Sequence, residues 1–176
     1  VTGRMDLGTI SGCGGFGDVT SESGDYVGGV CGFSLSSIQD SYAKCTLSGG
    51  KYVGGIAGSG SRVSNCVSMV ALADCDQFTG AIAGEITDDY QNNRFVSDTL
   101  AGVDRVSLSG KAEKIGYSQM LRIEGIPKQM KTLTLRFVAD DVTLASYPIE
   151  YGASFPMGSA PDIPQQEGKY AVWDHE

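Results

Sequence analysis

A seven-residue pattern recurs in this chain at a constant spacing. Tyr26-Val27-Gly28-Gly29-Val30-Cys31-Gly32, Tyr52-Val53-Gly54-Gly55-Ile56-Ala57-Gly58 and Phe78-Thr79-Gly80-Ala81-Ile82-Ala83-Gly84 start 26 residues apart (52 − 26 and 78 − 52). A fixed period of this size is the mark of a repeat architecture. Each copy runs aromatic, apolar or β-branched, small residues, β-branched, small, Gly. The order of types is kept while identities drift, so what the repeat preserves is shape.

A second segment recurs between the first. Ile10-Ser11-Gly12-Cys13 parallels Ile38-Gln39-Asp40-Ser41 and Val63-Ser64-Asn65-Cys66, so residues 1–23 read as a partial copy. Each period is thus predicted to hold two strands. One is the aromatic-Gly-Gly segment; the other gives Ile38–Leu47 and Val63–Leu72. Gly32-Phe33-Ser34, Ser48-Gly49-Gly50 and Gly58-Ser59-Gly60-Ser61 read as turns between them. A unit of this size cannot bury a core alone, but stacked coils can, with backbone groups paired between coils and like side chains in columns inside. Tyr26, Tyr52 and Phe78 are expected to form one such column. Val30, Ile56 and Ile82 form another, alternating in type with Gly29, Gly55 and Ala81. The expected fold class is mainly all-β: a short parallel β-solenoid of ~26-residue coils.

Past Gly84 the repeat loosens. Asp88-Asp89-Tyr90-Gln91-Asn92-Asn93 reads as a solvated turn, since it lacks the alternating Asp/Asn, central Gly and closing Glu of a calcium loop. Arg94-Phe95-Val96 is the expected last strand of the repeat. Val103 and Val106-Ser107-Leu108 suggest another strand. Ser118–Pro127 reads as a short helix with Ser118 as N-cap, Gly125 as C-terminal stop and Pro127 as a barrier. The segment of about 103–130 is expected to cap the open end of the stack. Residues 1–130 therefore form one predicted domain, solenoid plus cap, and residues 131–176 a second. In the second, Leu133–Val138 and Thr143–Ile149 alternate around Ala139-Asp140-Asp141 as a hairpin. Pro156, Pro161 and Pro164 punctuate a loop, and Tyr170-Ala171-Val172-Trp173 reads as a closing strand.

Composition narrows function. The formal net charge is −8 and the sequence pI about 4.6. No basic stripe exists for nucleic acid, and an acidic balance disfavours anionic lipid. No apolar run approaches the ~20 residues of a membrane span, so direct membrane insertion is not expected. The chain begins at Val1 without an initiator Met, as a piece of something longer would. Cys13, Cys31, Cys45, Cys66 and Cys75 contain no CxxC pair, so a zinc or redox motif is unsupported. Cys31 falls where the next copies have Ala57 and Ala83, which suits a packing position better than a disulfide framework.

No catalytic set stands out in the sequence. The single His, His175, has no nucleophile motif near it. Gly12, Gly14 and Gly17 spell G-x-G-x-x-G, but no helix pattern follows to aim an N-terminus at a phosphate. Asp74, Asp76, Asp88, Asp89 and Asp98 are candidates for a glycosidase-type carboxylate pair by residue type only, with no spacing that pairs them. No catalytic, cofactor-binding or metal-binding residue is assigned, no cofactor is expected, and the ligand-binding residues stay unassigned. The chain is not expected to be an enzyme.

Tyr52-Val53-Gly54-Gly55-Ile56-Ala57-Gly58 followed by Val63-Ser64-Asn65-Cys66-Val67-Ser68 resembles the GLUG-motif family of large bacterial surface and secreted proteins. Residues 26–43 match with Asp40-Ser41 in place of Asn-Cys, and residues 78–84 match the first half, so the resemblance spans about 8–100. The segment from Lys131 resembles the Listeria–Bacteroides repeat, or internalin B-repeat. The matching residues are Leu135–Asp140, Tyr151-Gly152, Pro161, Gly168-Lys169-Tyr170 and Trp173-Asp174, with Val172 where that family has Gly. Together the resemblances imply a parallel β-solenoid followed by a small β-grasp-like stalk or interaction module, in an extracellular, cell-surface or secreted bacterial setting. They imply no catalytic residues. The expected function is adhesion or display, with host or neighbour-cell glycans or proteins as partners and no nucleic acid. Two other readings stay open: an accessory region of a larger surface carbohydrate-active enzyme or protease, and a plain spacer.

Overall fold

A computed structural model describes residues 2–22, 24–164 and 172–173 of the chain, with the side chain of Asp76 excepted. Contacts divide it into two compact units, Val1–Met130 and Lys131–Glu176.

The first unit is a parallel β-solenoid of about four turns. One sheet stacks β1 (Thr2–Met5) and β2 (Thr9–Ser11) on β5 (Cys31–Gln39), then β7 (Ala57–Ser64) and β10 (Ala83–Gln91). The other joins β3 (Gly14–Thr20) and β4 (Val27–Gly28) to β6 (Tyr42–Gly54). It continues through β8 (Val67–Ser68), β9 (Ala71–Gly80), β11 (Asn93–Phe95) and β12 (Ala112–Lys114). The register is the one the repeat predicts. Ile10 pairs with Ile38 and Ile38 with Val63, while Val27 pairs with Val53 and Val53 with Thr79. Backbone hydrogen bonds run up the corner from Val30 N–H to the Ile56 carbonyl (3.1 Å), Ile56 to Ile82 (2.7 Å) and Ile82 to Gly102 (2.8 Å). The side chains of Val30, Ile56 and Ile82 are wholly buried, as are Cys31, Ala57 and Ala83 beside them. This column is the core that no single coil can make for itself.

Several local expectations are corrected. Ile38–Leu47 and Val63–Leu72 are each broken by a corner, because Asp40 and Asn65 adopt left-handed backbone (φ 50° and 53°) and turn the chain from one sheet to the other. Gly58 and Gly60 lie within strand β7 rather than in a turn. A Cβ on Gly58 would come within 2.6 Å of the Gly32 and Tyr52 carbonyl oxygens, so the residue is small because neighbouring backbone is close. Gly32-Phe33-Ser34 and Ser48-Gly49-Gly50 are strand as well, within β5 and β6. Asp88–Gln91 extends β10 instead of forming a solvated turn. Val106–Leu108 is no strand; Val103 bridges Ala83 and Val106, and the next strand is β12.

The polar corner forms a ladder of its own. Gly12, Asp40, Asn65 and Asn92 all have positive φ. Asn92 Nδ2 donates to Asn65 Oδ1 (2.8 Å), and Asn65 Nδ2 donates to Asp40 Oδ1 (3.1 Å). Asn tolerates this backbone better than other side chains and here also links successive coils. Replacing Asn65 by Ala should lower stability by about 1–2 kcal/mol, adding left-handed strain to the lost ladder bonds. Asn65→Gly, which relieves the strain alone, should lose less. Urea denaturation of both variants checks the order, and equal losses would mean that the backbone conformation is immaterial.

The cap departs from expectation in form and place. Instead of one helix over 118–127 there are two single turns, α1 (Tyr117–Met120) and α2 (Lys128–Lys131). The N-cap is Gly116, not Ser118, and the Gln119 side chain accepts the Gly116 N–H at 2.8 Å. Gly125 has φ +75°, as its role as a stop requires. Met120, Ile126 and Met130 cluster with Val67, Tyr42, Met69 and Val96. The segment therefore covers a flank of the second sheet. At the end of the stack itself, the carbonyls of Ala101 and Gly102 receive the amides of Ala81, Ile82 and Ala83.

In the second unit β13 (Thr132–Ala139) and β14 (Val142–Glu150) pair as the predicted antiparallel hairpin. Asp140 and Asp141 both have positive φ (47° and 61°), the geometry of a tight two-residue hairpin turn. Phe137 is buried against Tyr147, Phe155 and Trp173, and Trp173 Nε1 donates to the Pro161 carbonyl at 3.2 Å. Tyr170 and Ala171 of the expected closing strand, with Gly168, Lys169, Asp174 and His175, lie outside the described residues.

Candidate functional site

The aromatic column exists, but on the outside. Tyr26 is 40% exposed, and Tyr52 and Phe78 are half-buried. Their rings stack nearly parallel, Tyr26 on Tyr52 at 4.8 Å and 7°, Tyr52 on Phe78 at 4.6 Å and 5°. The cause is the backbone. All three residues have positive φ (64°, 59° and 55°), which breaks the in-out alternation of a strand and turns the side chain away from the core. The left-handed region costs a side chain about 1–2 kcal/mol, and each aromatic pair returns about 0.5–1.5 kcal/mol.

A second row runs beside this ladder. Arg4, Phe33, Ser59 and Glu85 share one register position on successive coils. Phe33 meets Tyr26 edge to face at 5.3 Å, and the Arg4 guanidinium sits 5.1 Å from the centre of the Phe33 ring. Ser59, only 1% exposed, donates through Oγ to Glu85 Oε2 at 2.9 Å. The Tyr52 phenol is held above its ordinary range, first by partial burial and then by the charge of Glu85, the neighbouring Tyr26, and the charges of Asp25 and Asp104. No hydrogen bond of the Tyr26 or Tyr52 hydroxyl appears among the described residues. Sequence reasoning found the ladder but not Arg4, Phe33 or Glu85. Those three differ in type at one register position, and periodicity offers no signal for such a row.

The other candidates sit apart. Asp88 pairs with Arg62 at 3.4 Å, Asp89 with Lys111, and Asp98 with Lys114 at 3.0 Å. Its bond from Lys111 is the main reason that Asp89 stays below the usual carboxylate range. Asp74 stands exposed at a left-handed position, and the Asp76 side chain lies outside the described residues. Among the described residues Asp88, Asp89 and Asp98 each face a cation rather than another carboxylate. Gly12 has positive φ at the β2–β3 corner and Gly17 has positive φ within β3, so the motif runs into a strand and not a helix.

The cysteines are free thiols used for packing. Cys31, Cys45 and Cys66 are buried, and burial raises the pKa of each, that of Cys66 to about 12. Cys66 Sγ donates to the Ser64 carbonyl at 3.2 Å, and Cys31 Sγ to that of Phe33 at 3.3 Å. A raised pKa removes thiolate, which is the opposite of what a nucleophile or metal ligand needs. Among the described residues no group of three His, Cys, Asp or Glu side chains is placed to hold a metal ion. No helix of the described residues is long and apolar enough to cross a membrane.

No family model, no curated protein and no solved structure matches this chain.

Proposed function

We propose that this chain is a non-catalytic display or adhesion module of a bacterial cell-surface or secreted protein. On this reading it carries GLUG-type coils and an internalin B-repeat-like module. Its solenoid presents an outer face to glycans or proteins of a host or neighbouring cell. One observation carries the reading. The buried row Cys31, Ala57, Ala83 keeps one small residue type, while the nearby row Arg4, Phe33, Ser59, Glu85 changes at every coil. Packing dictates the first row; in the second, Ser59 is buried but Arg4, Phe33 and Glu85 reach the surface and differ in type, as a binding surface on a rigid scaffold allows. The perturbed groups point the same way. Buried thiols are kept protonated, and Asp89 and Glu113 are lowered by local hydrogen bonds, from Lys111 in one case and from Gly110 and Ser109 in the other.

The test is a binding screen of the full chain, with and without calcium. The targets are immobilised mucin-type glycans, plant polysaccharides and extracellular host proteins. Saturable capture, lost when residues 24–100 are removed, supports display by the solenoid. A blank against all three classes would remove the reading in favour of a spacer or accessory region.

A further inference from the structure

We propose that the aromatic ladder and the row beside it form a docking surface for a basic, extended protein segment rather than for a sugar. The proposal rests on the display reading above and names its site and partner class. The ring geometry decides between the two. A pyranose binds an aromatic residue by lying on an open ring face. Here rings 4.6–4.8 Å apart and within 7° of parallel cover both faces of Tyr52 and one face each of Tyr26 and Phe78, and Phe33 packs edge-on against Tyr26. What the ladder turns outward is a line of ring rims, with the hydroxyls of Tyr26 and Tyr52 unbonded among the described residues. Rims of this kind suit the aliphatic stems of Lys and Arg, whose charged heads must then find a partner.

Carboxylates supply it. Asp25 precedes Tyr26, Glu85 ends the neighbouring row, and Asp104 lies close enough to act on the Tyr52 phenol. Asp25 accepts the Lys51 backbone N–H through Oδ1 at 2.8 Å and Glu85 accepts Ser59, but none of the three makes an ion pair among the described residues. The nearby cations do not neutralise them. Arg4 is paired with Asp6 at 2.8 Å, and the side chains of Lys51 and Arg105, chain neighbours of Tyr52 and Asp104, make no ion pair with these carboxylates among the described residues. The surface therefore offers rigid aromatic anchors beside unpaired negative charge, on a chain of net charge −8. The positive φ retained three times keeps the rings outward where Gly or Asn would relax the backbone.

The experiment titrates the full chain with a fluorescein-labelled decapeptide of alternating Lys and Thr, its Glu-Thr counterpart, and cellohexaose. The Lys peptide should bind, and more weakly as salt rises. The double variant Asp25→Asn/Glu85→Gln should weaken it by about fivefold to tenfold, as two exposed ion pairs predict, with thermal unfolding unchanged. The control Glu124→Gln/Asp141→Asn, which removes two charges elsewhere, should leave it unaltered. Equal weakening by the control would reduce the effect to net charge and overturn the proposal. So would a Lys peptide that binds no better than the Glu peptide, or cellohexaose binding that Tyr26→Ala abolishes and the double variant does not. Undiminished capture of an extracellular protein by the double variant would sink this site while leaving the display reading in place.

Discussion

Gly54→Val should abolish the native stack, with a loss of about 4 kcal/mol or more, and Gly54→Ala should already lose most of it. A Cβ on Gly54 would run into the Ala57 carbonyl, the Ala83 Cα and the Gly84 nitrogen, all of them backbone. Backbone cannot rotate aside as a side-chain tip can, so the coils themselves would have to separate. Gly80 occupies the same position one coil on, against the Ala83 and Gly102 carbonyls and the Val103 Cα, and Gly80→Val should behave alike. Gly3 is the control. It has nothing within 4 Å of its absent Cβ and no positive φ, so Gly3→Ala should change stability by no more than about 0.5 kcal/mol. Thermal or urea unfolding of the four variants settles the matter. A folded Gly54→Val protein with near wild-type stability would mean that the coils are not this close.

The same comparison explains what could be read from sequence. Column positions were legible because stacking reuses a residue type at each coil: Val30, Ile56 and Ile82 are buried in register, as their spacing predicts. The Asp/Asn corner was visible for the same reason. The outward placement of Tyr26, Tyr52 and Phe78 was not, since alternation presumes extended backbone and these residues are left-handed. Glycines misled in the opposite sense. Gly58 and Gly60 look like turn residues by composition, yet both sit in β7, where neighbouring backbone leaves Gly58 no room for a side chain and side chains crowd Gly60. The cap was found as a segment but not as a shape. Its apolar residues Met120, Ile126 and Met130 lie too irregularly to show which face of the stack they cover. The row of Arg4, Phe33, Ser59 and Glu85 lay beyond periodic reasoning altogether, because its members share a position and no chemistry.

Raising the pH from about 8 to about 10.5 should destabilise the protein by roughly 2 kcal/mol through Cys66 alone. Its thiol lies at about 12 in the folded protein against 9.0 for the free group, chiefly because burial opposes the thiolate. The sign follows from proton counting. Above pH 9 the unfolded chain has released this proton and the folded one has not, so the unfolded state gains the free energy of ionisation. The contribution is intact below about 9 and disappears as pH rises toward 12. Cys31 and Cys45 are raised by burial and act in the same direction, as does Tyr52, whereas Lys44, lowered by burial, acts against them. Comparison with Cys66→Ala isolates the one thiol, since every other group is common to both proteins. The variant should be about 1 kcal/mol less stable at pH 7, from the small void left by sulfur, and should lose distinctly less between pH 8 and 10.5. The two stability curves should therefore converge and then cross. Parallel curves would show that Cys66 ionises as easily in the folded chain as in the unfolded one, and the buried core would then have to admit water beside Cys66, whose backbone N–H donates to Asn93 Oδ1 at 3.0 Å.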